Sequence, residues 1–217
     1  MARKALLRRP IDLENEVRGL LKVYGLKLPT QIYHARFDDM ARHAIAADPL
    51  LIEALDPLLD ARGHLSRAFL DIDRRVKALA QAEPICQLLM SAPGIGYIAA
   101  LTFKAAVDDP KRFRRSKTVA AHFGLTPRRY QSGERDSPGR ISKAGDVDVR
   151  SALFLAANTI MNGRGPTSSL RRFGVRLSRA KGRKRALVAV ARKLAVVLHT
   201  MWTDGTMYCS GEKEART

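Results

Sequence analysis

The chain has 217 residues and a hydrophobic fraction of 46%, enough apolar material for a packed core, which excludes a disordered polyelectrolyte. Lys and Arg number 39 against 21 Asp and Glu, a formal charge of +18 that points to a polyanionic partner, nucleic acid first and an acidic membrane surface second. Cys86 and Cys209 are the only cysteines, which excludes a disulfide framework and a cysteine-based zinc site and suits a reducing compartment.

Met1-Ala-Arg-Lys leads into no long apolar run, so no signal peptide is expected. Residues 12–24 read as the first helix, with Asp12 as N-cap and Leu13, Val17, Leu20, Leu21 and Tyr24 on one face. Gly25 ends it, Leu28-Pro29 makes a break, and a short helix is expected from Phe37 to about Ala46. Then Leu51, Leu55, Leu58, Arg62, Leu65, Phe69, Ile72, Val76 and Leu79 follow one another in steps of three and four, a heptad seam with a single polar position. Such a seam wraps around a partner helix, and either residues 12–24 running antiparallel or a second copy of the chain would satisfy it. Pro57 is expected to kink the early part, because proline removes a backbone donor.

Glu83-Pro84 closes the seam and marks a domain boundary, with helices expected at 85–90, 97–107, 117–123, 147–161, 167–179 and 184–202. The segment from Leu88 to Leu101 has the form of a helix-hairpin-helix. Gly94 and Gly96 allow a tight turn, Ile95 can plug the gap between the helices, and the second helix can turn free N–H groups toward a phosphate. A plain turn between two packed helices is the other reading of the same residues. Residues 125–145 hold the densest turn chemistry and read as a loop with a short hairpin.

From Val149 to Thr203 there is no Asp or Glu, while Arg150, Arg164, Arg171, Arg172, Arg176, Arg179, Lys181, Arg183, Lys184, Arg185, Arg192 and Lys193 all fall there. Separation of sign to this degree is the pattern of a phosphate-binding surface. In the loop, Ser132 stands among Arg128, Arg129, Arg135, Arg140 and Lys143, with Arg150 just beyond. Those cations could hold a scissile phosphate while a serine attacks it, or Ser132-Gly133 could be a turn and nothing more. No histidine lies in the loop, and His34, His43, His64, His122 and His199 show no metal-ligand spacing; His122 reads as packed or capping. No metal site is expected in this chain. The late apolar stretch Ala186–Trp202 is interrupted by Arg192 and Lys193 and reads as too short to cross a bilayer, so no membrane is expected as a partner.

Four stretches together resemble a known family: Ser91-Ala92-Pro93-Gly94-Ile95-Gly96; Asp109 to Lys117; Phe123-Gly124-Leu125-Thr126-Pro127 with Gln131-Ser132-Gly133; and Gly139-Arg140-Ile141-Ser142-Lys143-Ala144-Gly145 with Arg150. The closing Val188 to Leu194 also fits. The chain is similar, over roughly residues 10–205, to insertion-sequence transposases that carry a DEDD-type resolvase-like nuclease domain, some of them guided by a bridge RNA. The resemblance implies a serine that links covalently to DNA, at Ser132 by motif position and at Ser142 as second choice. The hairpin and the cation pattern make Gly94, Ile95, Gly96, Arg128, Arg129, Arg135, Arg140, Lys143, Arg150, Arg183, Lys184 and Arg185 the expected nucleic-acid contacts, and the resemblance implies guide RNA and two DNA partners on the basic surfaces. It further implies a coiled coil that mediates self-association and a bacterial, cytoplasmic, nucleoid-associated protein. The family's four metal-binding carboxylates belong to an N-terminal domain with no counterpart in these residues, so magnesium is expected only for that domain and no cofactor here.

The expected fold is mainly all-α: linker helices over 1–47, a coiled-coil helix over 48–83, a helical transposase domain over 84–205 with a helix-hairpin-helix and an irregular or β-hairpin loop, and a flexible tail over 206–217. The leading functional expectation is DNA binding and transposition by a transposase that lacks its nuclease domain and does not recombine DNA alone. A non-catalytic nucleic-acid-binding or regulatory module is second, and a ribosome-associated protein third.

Overall fold

The structure is a computed structural model that describes residues 2–132, 135–163 and 168–209, with the backbone alone for residues 34, 129–132 and 135–138. It is mainly helical, with one two-stranded sheet among the described residues. The chain divides into two compact units, residues 1–76 and 77–217.

The first unit is built on α1 (Ala2–Val23), α2 (Phe37–Ile45) and the greater part of α3 (Pro49–Ala82). Helix α1 begins ten positions before the Asp12 cap expected from sequence, and Pro10 lies inside it, buried. The reason is the face: Arg3, Leu6, Pro10, Glu14, Val17 and Leu21 recur in steps of three and four and are the positions turned inward, whereas Leu20 and Tyr24 are exposed. Burial of that face outweighs the one hydrogen bond that proline removes. Arg3 Nε donates to Asp73 at 2.5 Å and Arg62 Nε to Glu14 at 2.9 Å, so α1 runs antiparallel to α3.

The polar position of the heptad seam is satisfied inside the unit. Arg62 is 2% exposed; its guanidinium pairs with Glu14 from α1, reaches Asp38 of α2 at 2.9 Å, and lies 4.9 Å over the Phe37 ring. Burial raises the Asp38 carboxyl above its ordinary value, against the opposing pull of Arg62. Around this network Val17, Leu21, Phe37, Ala41, Ile45, Leu51, Leu55 and Leu59 form the first core. Helix α3 continues through Pro57.

The second unit packs α4 (Pro84–Met90), α5 (Tyr97–Val107), α6 (Ser116–His122), α7 (Val147–Asn162), α8 (Ser169–Lys181) and α9 (Arg183–Asp204) around one core. Phe103, Phe123, Leu153, Leu194 and Leu198 are essentially inaccessible; burial of each such side chain contributes about 1.5–3 kcal/mol. Helix α9 is the central member. At 22 residues it is long and apolar enough to span a bilayer, which corrects the expectation that it is too short; half of its apolar window is buried against α4, α6, α7 and α8, as in a core helix. The tail is fastened further than expected: the Tyr208 backbone N–H donates to Ser91 Oγ at 2.9 Å. Residues 210–217 of the expected flexible tail lie outside the described residues.

Between α6 and α7 the chain forms an antiparallel hairpin, β1 (Pro127–Ser132) and β2 (Arg135–Ile141), with Ser132 opposite Arg135, Tyr130 opposite Ser137 and an irregularity between Pro127 and Arg129.

Candidate nucleic-acid interface

The hairpin rises from a cage of backbone groups. Gly124 has φ +65° and a Cβ there would lie 2.3 Å from the Ala144 carbonyl oxygen; Gly145 has φ +73° and a Cβ there would lie 2.1 Å from that of His122. Only glycine allows the two chain segments to cross so closely. The Lys143 N–H donates to Gly124 O at 3.1 Å and the Ser142 N–H to Thr126 O at 2.9 Å. Arg150, in the first turn of α7, then closes the cage: its Nη1 donates to Ala144 O at 2.6 Å, Gly145 O at 2.9 Å and Phe123 O at 3.3 Å. The same turn is capped by the Asp146 carboxylate, which accepts from the N–H groups of Asp148 at 2.7 Å and Val149 at 3.0 Å. One helix start therefore fixes both feet of the hairpin.

The predicted site residues fall into distinct places on this frame. Arg128 is exposed and donates to Ser142 O at 3.1 Å, while Arg140 and Lys143 are exposed beside it, Lys143 with φ +57°. Ser142 Oγ accepts from the Ala144 N–H at 3.4 Å, so this hydroxyl serves the turn. The Ser132 backbone ends β1; the side chains of Ser132, Arg129 and Arg135, and all of Gly133, lie outside the described residues. Arg150 Nη1 is directed at the cage. Arg183 Nη2 donates to Asn158 at 2.8 Å and Asn162 at 2.7 Å, tying the start of α9 to the end of α7, and Lys184 and Arg185 are exposed in the next positions.

In the turn between α4 and α5, Ile95 is buried in the second core. Gly94 has φ +76° and presses on α7, where a Cβ would lie 2.6 Å from the Ala156 carbonyl oxygen. Its close approach is therefore to the protein itself. Gly96 is the N-cap of α5, and a Cβ there meets nothing within 4 Å.

One polar cluster escaped the sequence reading. His199 is 2% exposed; its Nε2 lies 2.9 Å from Pro110 O and its Nδ1 3.0 Å from Ser116 Oγ. A carbonyl only accepts, so Nε2 carries a proton and donates to Pro110 O, while Nδ1 and the Ser116 hydroxyl share the second bond. The Phe113 ring meets His199 edge-on at 5.6 Å and His122 at 5.2 Å. These contacts pin the 110–116 segment to α9, and the spacing of 83 residues hid them from any motif. Among the described residues no three His, Cys, Asp or Glu side chains gather to hold a metal ion.

Residues 86–173, from α4 into α8, match the family profile described as Transposase IS116/IS110/IS902 family. They form a transposase domain of that family. The transposase of insertion sequence element IS1111A from Coxiella burnetii is 32% identical over 213 residues, 96% of this chain and 58% of the relative. That of insertion sequence element IS1328 from Yersinia enterocolitica is 27% identical over 207 residues, 95% of this chain and 62% of the relative. A pilin gene-inverting protein from Moraxella bovis is 29% identical over 144 residues, 64% of this chain and 44% of the relative. The chain thus spans 58% and 62% of the two transposases it matches end to end. The transposase domain contains the α4–α5 turn, the hairpin, the cage and the first turn of α8.

Proposed function

We propose that this chain serves insertion-sequence transposition: it binds the DNA of the element and presents Ser132 as the group that joins to a strand. The observation that carries the reading is the Arg150 cage, which holds a hairpin with Ser132 at its far end, inside the matched transposase domain. In the step itself the Ser132 Oγ–P bond forms and the P–O bond to one sugar oxygen breaks. The serine proton passes to solvent, and the departing sugar oxygen takes one up. Arg128, Arg140 and Lys143 stand exposed near the hairpin's feet and act on the strand's non-bridging oxygens by charge-assisted hydrogen bonds, together with Arg129 and Arg135. Gly96, the exposed N-cap of α5, is the contact to a second phosphate in this reading. A guide RNA and a second copy of the chain, paired through the α3 seam, are the further partners of this reading, and the bacterial cytoplasm its setting.

The test is a denaturing-gel search for a covalent protein–DNA adduct on labelled duplex carrying the ends of an insertion element, with the chain alone and with a nuclease-like domain added. The expected result is binding alone in the first case and an adduct in the second, lost in Ser132→Ala while binding persists. An adduct unchanged in Ser132→Ala overturns the assigned serine. Covalent attachment by the chain alone overturns its dependence on a second domain, and failure to bind DNA or RNA at low ionic strength overturns the whole.

A further inference from the structure

We infer that a sugar-phosphate backbone lies along the outer face of α8, from the turn at Pro93-Gly94 to Arg179; this deepens the nucleic-acid role proposed above and rests on it. Arg171, Arg172, Val175, Arg176 and Arg179 line an open depression of about 490 Å³. A second, of about 260 Å³, is lined by Pro93, Gly94, Thr159, Ser168 and Arg171 among others. Arg171 lines both, so the two depressions adjoin at that side chain.

The shape follows from how α8 is seated. Gly174 turns its bare Cα toward α9, where a Cβ would lie 2.8 Å from Val190 Cγ2, and Leu170 is buried beside it. Arg172, Arg176 and Arg179 are exposed on the opposite face, with Arg171 half-buried at its edge. Lys193 of α9 lies 4.5 Å from the Phe173 ring centroid, which adds a further cation next to that helix. No carboxylate occurs in the sequence between Val149 and Thr203, so α8 carries none and the acids of α7 and α9 stand at their far ends, at Asp148 and Asp204.

The dimensions select the ligand. Arg171 and Arg179 are eight residues apart, about 12 Å along a helix axis. One strand of duplex DNA advances ~3.4 Å along the duplex axis per phosphate and further than that along its own path, so the row is long enough for more than one phosphate and at most about three. A lone anion would leave most of such a track empty. Guanidinium forks grip phosphate oxygens in pairs, while Val175, 36% exposed, offers an apolar patch of the kind a sugar ring covers. Among the described residues the Thr159 and Ser168 hydroxyls add to the polar lining, with Ser168 Oγ already accepting from the Arg171 N–H at 3.2 Å. A lining of this kind fixes where a strand lies and does not read its bases.

The test is the salt dependence of binding, by fluorescence anisotropy of the full chain with labelled duplex DNA, single-stranded DNA and duplex RNA. The variant R172Q/R176Q/R179Q is compared with R67Q/R74Q/R75Q, three exposed arginines of α3 with the same loss of charge. Each phosphate contact contributes about 0.9 to the slope of log K against log salt on duplex DNA and about 0.7 on a single strand. The α8 variant should therefore lower the slope by about 2.7 or about 2, on whichever probe the track holds, and the α3 variant by less than one. The single variants R176Q and R179Q, each lowering it by about one contact, guard against a misfolded triple variant. An unchanged slope in the α8 variants while the parent still binds overturns this inference and leaves the proposed function standing, as does an equal fall in both triple variants. No binding by the parent overturns both.

Discussion

Arg150→Ala removes the side chain that joins both feet of the hairpin. It deletes a strong donor contact to Ala144 O at 2.6 Å, another to Gly145 O at 2.9 Å and a weaker one to Phe123 O at 3.3 Å. A hydrogen bond is worth about 0.5–1.5 kcal/mol net, and these acceptors stand close enough to solvent for water to replace part of the loss. The sum is about 2 kcal/mol, confined to the cage. The N–H groups of Ser142 and Lys143, which bond to Thr126 O and Gly124 O, report it directly. A 2 kcal/mol drop in local opening free energy makes their hydrogen exchange roughly thirtyfold faster, while amides of the α9 core such as Leu194 keep their rates. Arg150→Lys keeps the charge but not the planar fork, and should recover only part of the protection. Equal rates in parent and Arg150→Ala at Ser142 and Lys143 would refute the clamp. Faster exchange throughout residues 77–209 would refute its being local.

Gly94→Ala places a methyl 2.6 Å from the Ala156 carbonyl at a left-handed φ, and should lower stability by about 2 kcal/mol or more in thermal unfolding; Gly96→Ala, with open space around it, should stay within about 0.5 kcal/mol. Arg62→Ala strands the Glu14 carboxylate in the first core and should lower the urea midpoint by the equivalent of about 3–5 kcal/mol. The Asp38 carboxyl is raised by burial, so its contribution to stability is complete below the unfolded value of about 3.9 and is lost as pH rises through the higher folded value. The stability difference between the parent and Asp38→Asn, measured in urea at about pH 4 and about pH 6, should therefore shift against the parent at the higher pH.

Helices were legible where apolar residues repeat with the helical period: the expected 97–107 is α5 and the seam is α3, while within the turn-rich 125–145 residues 127–132 and 135–141 pair as a hairpin whose second strand runs through Pro138-Gly139. The start of α1 was missed because Pro10 and Asp12 imitate a helix boundary, while the buried face passes straight through them. Partners remote in sequence were not legible at all. Arg62 meets Glu14 across 48 residues and His199 meets Ser116 across 83, and neither pairing leaves a local pattern. The basic C-terminal stretch announced itself in composition, yet its division of labour did not. Arg150 and Arg183 turn to carbonyls and asparagines, while Arg171, Arg172, Arg176 and Arg179 line the depression on α8.

The grip of Arg150 falls entirely on main-chain oxygens, and those are the same whatever amino acid carries them. Apart from the two glycines that permit the crossing and the Arg128 bond to Ser142 O, the described contacts of the foundation run through backbone groups and Arg150. Strands of altered composition can be substituted above it as an interchangeable cassette, with the anchoring left intact, so that variation in what the tip touches need not disturb what holds it in place.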